Sequence, residues 1–265
     1  MQDGFSDVFT FSMRQISRVE VIAAALLQAL TSAVTVGVAW AVLTYQVSLV
    51  GRPELDVTLA SLPFSFLAGM AMIALFSRLN GRLFGRPFPA GVLGSAWRYF
   101  KAIFALMLLI LALTVPIGVI VVVAWKLVLD SVPEGVLAVL PAAFGFVLAY
   151  VVFIRYMLLP IMVIYEGRVS LGRAKALIAG RRGRAFGVVL AIGLISFAAN
   201  LLTLAVAGTF MPPEFAVLFA GPVGALAYGP MTVAVSVFYF TGVERLNAPA
   251  SESGLIESPG PAVTA

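Results

Sequence analysis

From Val21 to Leu43 the chain runs without one ionisable side chain, and five more long apolar runs follow, the first two of them equally free of ionisable residues. They are Val57–Phe76, Ile103–Trp125, Val136–Ile154 with a continuation to Tyr165, Phe186–Val206 and Phe215–Thr241. A helix needs about 20 apolar residues to cross a hydrocarbon core about 30 Å thick, so each run is long enough to span a membrane. The runs are continuously apolar and lack the alternation of lipid-facing strands, which argues against a closed barrel. The fold class expected is therefore all-α, a polytopic membrane protein of six transmembrane helices with short cytoplasmic interfacial helices. Residues 1–247 form a single transmembrane domain in this reading. The tail 248–265 mixes Pro and Gly with Ala, Ser and Glu and has little to bury, so it is expected to be disordered.

Composition agrees. Of the 265 residues, 62% are hydrophobic and 11% charged, too few charges to cover the surface of a soluble domain. Cysteine and histidine are absent, which removes disulfides, thiol nucleophiles, imidazole bases and the usual zinc, copper and haem ligands. Twelve carboxylates remain, and they are scattered. No catalytic residue, metal site or cofactor is expected, nor a nucleic-acid partner. The preference for Arg over Lys, with heavy use of Ala, Gly and Val, hints at a GC-rich bacterial genome.

Basic residues set the orientation. With both termini in the cytoplasm, fourteen of the seventeen Lys and Arg fall in cytoplasmic segments, and only Arg52 and Lys126 fall outside, Arg155 being counted apart. The external loops hold Glu54, Asp56, Asp130, Glu134 and Glu214. The expected location is thus the inner membrane of a bacterium. The first span starts only at Val21 and exceeds the length of a signal-peptide core, so it is expected to stay uncleaved.

Spans one, three and five are each preceded by a short basic segment: Val8–Val19, Gly91–Lys101 and Leu171–Arg184. This layout suggests three hairpins, each led by a helix on the cytoplasmic surface. Span one carries Ala25, Ala29, Ala33, Gly37 and Ala41 at every fourth position, a stripe that admits a neighbouring helix closely. Pro160 in span four, and Pro222 and Pro230 in span six, remove backbone donors and should bend or open their helices.

Arg155 poses the sharpest question, because a charge inside a span costs about 2.5–3.5 kcal/mol on insertion scales. Three answers stay open. It locks helix ends by pairing with Glu166 or Glu20, with Pro160 freeing a carbonyl nearby. It binds a ligand or lipid phosphate. Or it snorkels to the headgroups. In the segment Leu171–Arg184, the cations Arg173, Lys175, Arg181, Arg182 and Arg184 are candidates for lipid-headgroup contact, each adding about 1 kcal/mol near an anionic leaflet. Trp40, Trp97, Tyr99 and Trp125 lie near span ends, as interface anchors do.

The run Arg155-Tyr156, Pro160, Val163, Glu166-Gly167, then a basic helix ending in Gly180-Arg181-Arg182 before a new span, resembles the membrane domain of the glycerophosphoryl diester phosphodiesterase-like family. That domain also occurs as a stand-alone bacterial membrane protein of unknown function. The likeness is specific over residues 153–187, and the last span ending near Tyr239-Phe240 fits the same layout. Two departures stand out: Ala174-Lys175 where the family often has Ser-Trp, and Thr241-Gly242-Val243-Glu244-Arg245 where it often has Asp and close arginines. The resemblance implies no phosphodiesterase activity, since the catalytic domain's metal and phosphate ligands have no counterpart in a chain without histidine. The function expected is a non-enzymatic scaffold or accessory subunit, engaging anionic membrane lipids or a cytoplasmic or membrane protein partner. The alternative is a transporter or lipid-export component with a site near the kinked fourth and sixth spans.

Overall fold

The structure, a computed structural model, describes residues 4–45, 53–128, 150–210 and 222–247. Every regular element among them is helical: α1 (Phe5–Met13), a 3-10 turn over Arg14–Ser17, α2 (Val19–Tyr45), α3 (Pro53–Phe84), α4 (Gly91–Val128), α5 (Leu159–Glu166), α6 (Leu171–Leu177), α7 (Arg182–Phe210) and α8 (Tyr228–Asn247). Helical residues 150–156 lead into α5, and 222–225 lead into α8. Five helical stretches are long and apolar enough to cross a membrane, and a sixth span results if Tyr150–Glu166 is joined to α6, which bends away from it by 110°. The chain is an all-α polytopic membrane protein.

Where the expected boundaries move, a local cause is visible. α3 outlasts Val57–Phe76 because Leu79 and Asn80 are fully buried and hold the last turns in the bundle. Gly85 then ends it at φ +66°, a conformation glycine adopts without penalty. Gly91–Lys101 is not a separate surface helix but the opening turns of α4, since no proline interrupts the chain before Pro116. The segment Val8–Val19 keeps an exposed face, with Thr10, Arg14 and Arg18 outward. It is α1 and the 3-10 turn, with Val8 and Ser12 fully buried against α7 and α8. The three leading segments thus precede spans one, three and five as expected but take different forms.

The prolines act as expected. The helix entering span four breaks at Met157–Leu158, and Pro160 falls in the first turn of α5, where its missing N–H would have had no partner. Span six breaks likewise at Leu226–Ala227, with Pro230 in the first turn of α8. α8 sits at the centre, where Val233, Ala234, Val237 and Phe238 are fully buried in a core shared with α1, α5, α6 and α7. A Cβ on Gly229 would strike the side chain of Val21, so glycine permits this crossing of α2 and α8. Along the small-residue stripe of α2, Ala25 is buried and Ala29 and Ala41 are partly buried, whereas among the described residues nothing lies within 4 Å of a Cβ on Gly37. Residues 136–149, 215–221 and the tail 248–265 lie outside the described residues.

Candidate functional site

The polar side chains gather where α5 ends and α6 begins. Gly167, in the left-handed conformation at φ 76°, terminates α5 just after Glu166. Ser170 caps α6, its Oγ accepting from the Arg173 backbone N–H at 3.4 Å. Arg173 is thereby turned back over the corner. Its Nε lies 2.7 and 2.6 Å from the two oxygens of Glu166, a charge-assisted pair spanning the bend. The Tyr239 hydroxyl, from α8, donates to the same carboxylate at 3.4 Å.

Aromatic rings continue this cluster. Tyr165 stacks on Tyr239 at 5.5 Å and meets Phe88 and Phe240 edge-on. Its hydroxyl donates to the carbonyl of Arg86, which ties the turn after α3 to α5, while buried Asn80 stands beside the same ring. The Arg86 guanidinium lies 5.0 Å over Phe240 and 4.0 Å from Glu244. Arg98 of α4 donates to the Ile164 carbonyl at 2.8 Å, and its guanidinium would be 3.2 Å from a Cβ on Gly167. Glycine at 167 thus serves both the turn and the approach of Arg98.

Two further arginines tie elements together. Arg181, 5% exposed, donates to Thr241 Oγ1 at 2.6 Å and to the carbonyls of Leu177 and Phe238 at 3.0 and 3.3 Å. It thereby satisfies carbonyl oxygens at the end of α6 and along α8. Arg82 of α3 pairs with Glu20 at 2.6 Å. Glu20 is 3% exposed and sits in the first turn of α2, where the helix dipole favours a negative charge.

This geometry corrects two expectations. Arg155 forms no lock with Glu166 or Glu20 among the described residues: both carboxylates are paired elsewhere, and Arg155 is exposed. Arg155 precedes Glu166 by about 16 Å of helix, whereas the corner folds Arg173 directly onto it. Arg181 is not a headgroup residue but a buried tie. Of the other cations of that segment, Arg173 is bound to Glu166 and Arg182 is partly exposed, while Lys175 and Arg184 are exposed, as is Arg168 beside them.

A cavity of about 640 Å³ opens beside the corner, among α2 (Gln28, Thr31), α3 (Ser65 to Phe76), α4 (Tyr99), α5 (Pro160, Ile161, Ile164) and α8 (Tyr228 to Val235). Among the described residues no charged side chain lines it, and Arg155 is not part of its lining. Among the described residues no three acidic side chains gather as a metal site would need.

Sequence reasoning missed Arg82, Arg98, Tyr165 and Tyr239. The arginines look like ordinary positive-inside flanks. The tyrosines at span ends look like interface anchors, and nothing in their spacing distinguishes the two cases. Comparisons with protein-family models, with curated proteins and with solved structures find no match.

Proposed function

We propose that this protein is a non-enzymatic scaffold or accessory subunit of a bacterial inner membrane, both termini cytoplasmic, whose basic end engages anionic lipid headgroups or a protein partner. The observation that carries this reading is the braced α5–α6 corner. Glu166–Arg173 and the buried Arg181 hold α6 at a fixed angle, so that Arg168 and Lys175 are displayed outward on a rigid support. Rigid display favours recognition, because little ordering entropy remains to be lost on contact. Membership of the glycerophosphoryl diester phosphodiesterase-like membrane family is part of the same proposal, resting on the Arg155–Arg182 residues quoted above.

The test is lipid selection in nanodiscs of mixed phosphatidylglycerol and phosphatidylcholine. Replacing Arg168 and Lys175 by Gln should lower phosphatidylglycerol enrichment about fivefold per residue at low salt, with Tm unchanged. Unchanged enrichment removes the headgroup reading. Reporter fusions at Ala265 and near Gly51 should report opposite sides of the membrane.

A second reading, a transporter or lipid-export component, is favoured by one observation: the cavity lies between the interrupted helices of spans four and six. Lipid translocation by reconstituted protein, lost on filling that cavity, would select it.

A further inference from the structure

We propose that the cavity between α2, α3, α5 and α8 binds an uncharged membrane amphiphile, a hydrocarbon chain carrying a hydroxyl or ester group. Its volume of about 640 Å³ is that of a small-molecule site, and its walls have the composition of one. Met72, Ile73, Phe76, Met231 and Val235 supply an apolar lining, with methionine able to follow an irregular chain. Against this lining stand the side chains of Gln28, Ser65 and Thr232, none of which makes a hydrogen bond among the described residues.

That combination specifies the ligand. Between membrane spans, an amide or hydroxyl without a partner is costly, because no lipid tail can accept or donate to it. Thr31 meets this cost internally by donating to the Leu27 carbonyl; Gln28, Ser65 and Thr232 do not. A ligand supplying one or two neutral hydrogen-bonding groups would satisfy them. A phosphate or ammonium would not be compensated, since no charged side chain among the described residues lines the cavity. Tyr99 and Tyr228 line the cavity and are also exposed, so they mark its rim.

The test uses wild-type protein in nanodiscs and a diacylglycerol bearing a diazirine in one acyl chain. Comparators are the phosphatidylglycerol of the same chains and the plain diazirine alkane. Light should label peptides from 65–76 and 228–235, about fivefold more with diacylglycerol than with either comparator. Gly69→Phe should abolish this labelling with Tm unchanged, since a Cβ at Gly69 meets nothing within 4 Å and the ring would enter the cavity. Gln28→Leu combined with Ser65→Ala should bring diacylglycerol down to the alkane's level while leaving alkane labelling intact. This second variant decides the matter if Gly69→Phe fails to fold. The proposal is overturned by equal labelling with phosphatidylglycerol or alkane, by absence of labelling, which would leave a water-filled cavity, or by labelling indifferent to both variants.

Discussion

The span containing α8 and those formed by α3 and α4 invert the habit of soluble proteins. In the stretch Pro222–Asn247, 61% of the most apolar window is buried inside the protein, against 6% for the windows in α3 and α4. Yet the α8 span is the least apolar of the long helices. In lipid, an apolar surface gains nothing by leaving one hydrocarbon setting for another, so apolarity alone drives no helix inward. What goes inside is what packs closely or needs a partner: Gly229 and Gly242 where neighbours press on the backbone, and Thr241 under Arg181. α3 and α4 instead present Leu62, Phe66, Leu67, Met107, Leu111 and Ile120 outward, where acyl chains cover them.

The largest effect should come from the central tie. Arg181→Ala removes the buried donor to Thr241 and to the Leu177 and Phe238 carbonyls and should cost about 3 kcal/mol in denaturation of the reconstituted protein, whereas Arg78→Ala on exposed α3 should be near neutral. Arg181→Lys should recover only part, because lysine lacks the planar fork. Equal effects at the two arginines would dissolve the contrast between centre and periphery.

Close packing comes next. A Cβ on Gly242 would stand 2.7 Å from the Leu177 carbonyl oxygen and 2.9 Å from Arg181 Nη2. Gly242→Ala should therefore cost about 1–3 kcal/mol by overpacking, while Gly69→Ala on α3, with open space around it, should cost nothing measurable. Thermal unfolding of the two variants side by side reads the difference directly.

A smaller term belongs to the corner. Arg173 is 33% exposed in its side chain, so Glu166→Ala and Arg173→Ala should each cost about 1–2 kcal/mol, and a double-mutant cycle should return a coupling of about 1 kcal/mol. A coupling of zero would mean that Gly167 and Ser170 hold the bend unaided. Smallest of all, Arg155→Ala should change stability by less than about 0.5 kcal/mol, as for other exposed side chains without a partner among the described residues. A loss of several kcal/mol there would restore the lock with Glu166 or Glu20.

The spans were legible because uninterrupted apolar length is itself the physical requirement for crossing a bilayer. The breaks at Pro160 and Pro230 were legible for the same kind of reason: a missing N–H acts locally, whatever the surroundings. Pairing was not. Glu166 meets Arg173 rather than Arg155 because a left-handed glycine and a serine cap turn the chain by 110°, and that angle has no signature in charge spacing. Burial of Arg181 was equally hidden, since Arg181, Arg182 and Arg184 read alike until Thr241 and Phe238 are brought beside the first of them.

The centrality of α8 has a consequence for biosynthesis. It follows every other described helix in the chain, so α1 to α7 are synthesised before the element that unites them exists. At about 5–20 residues per second the ribosome leaves a gap of a few seconds between completing α7 and completing α8. Throughout that interval Arg181 lacks Thr241 and the Phe238 carbonyl, and Val21 lacks Gly229. Assembly must therefore finish as a late docking of α8 among helices already made, and a chain stalled ahead of Pro222 is a natural client for membrane chaperones and quality-control proteases.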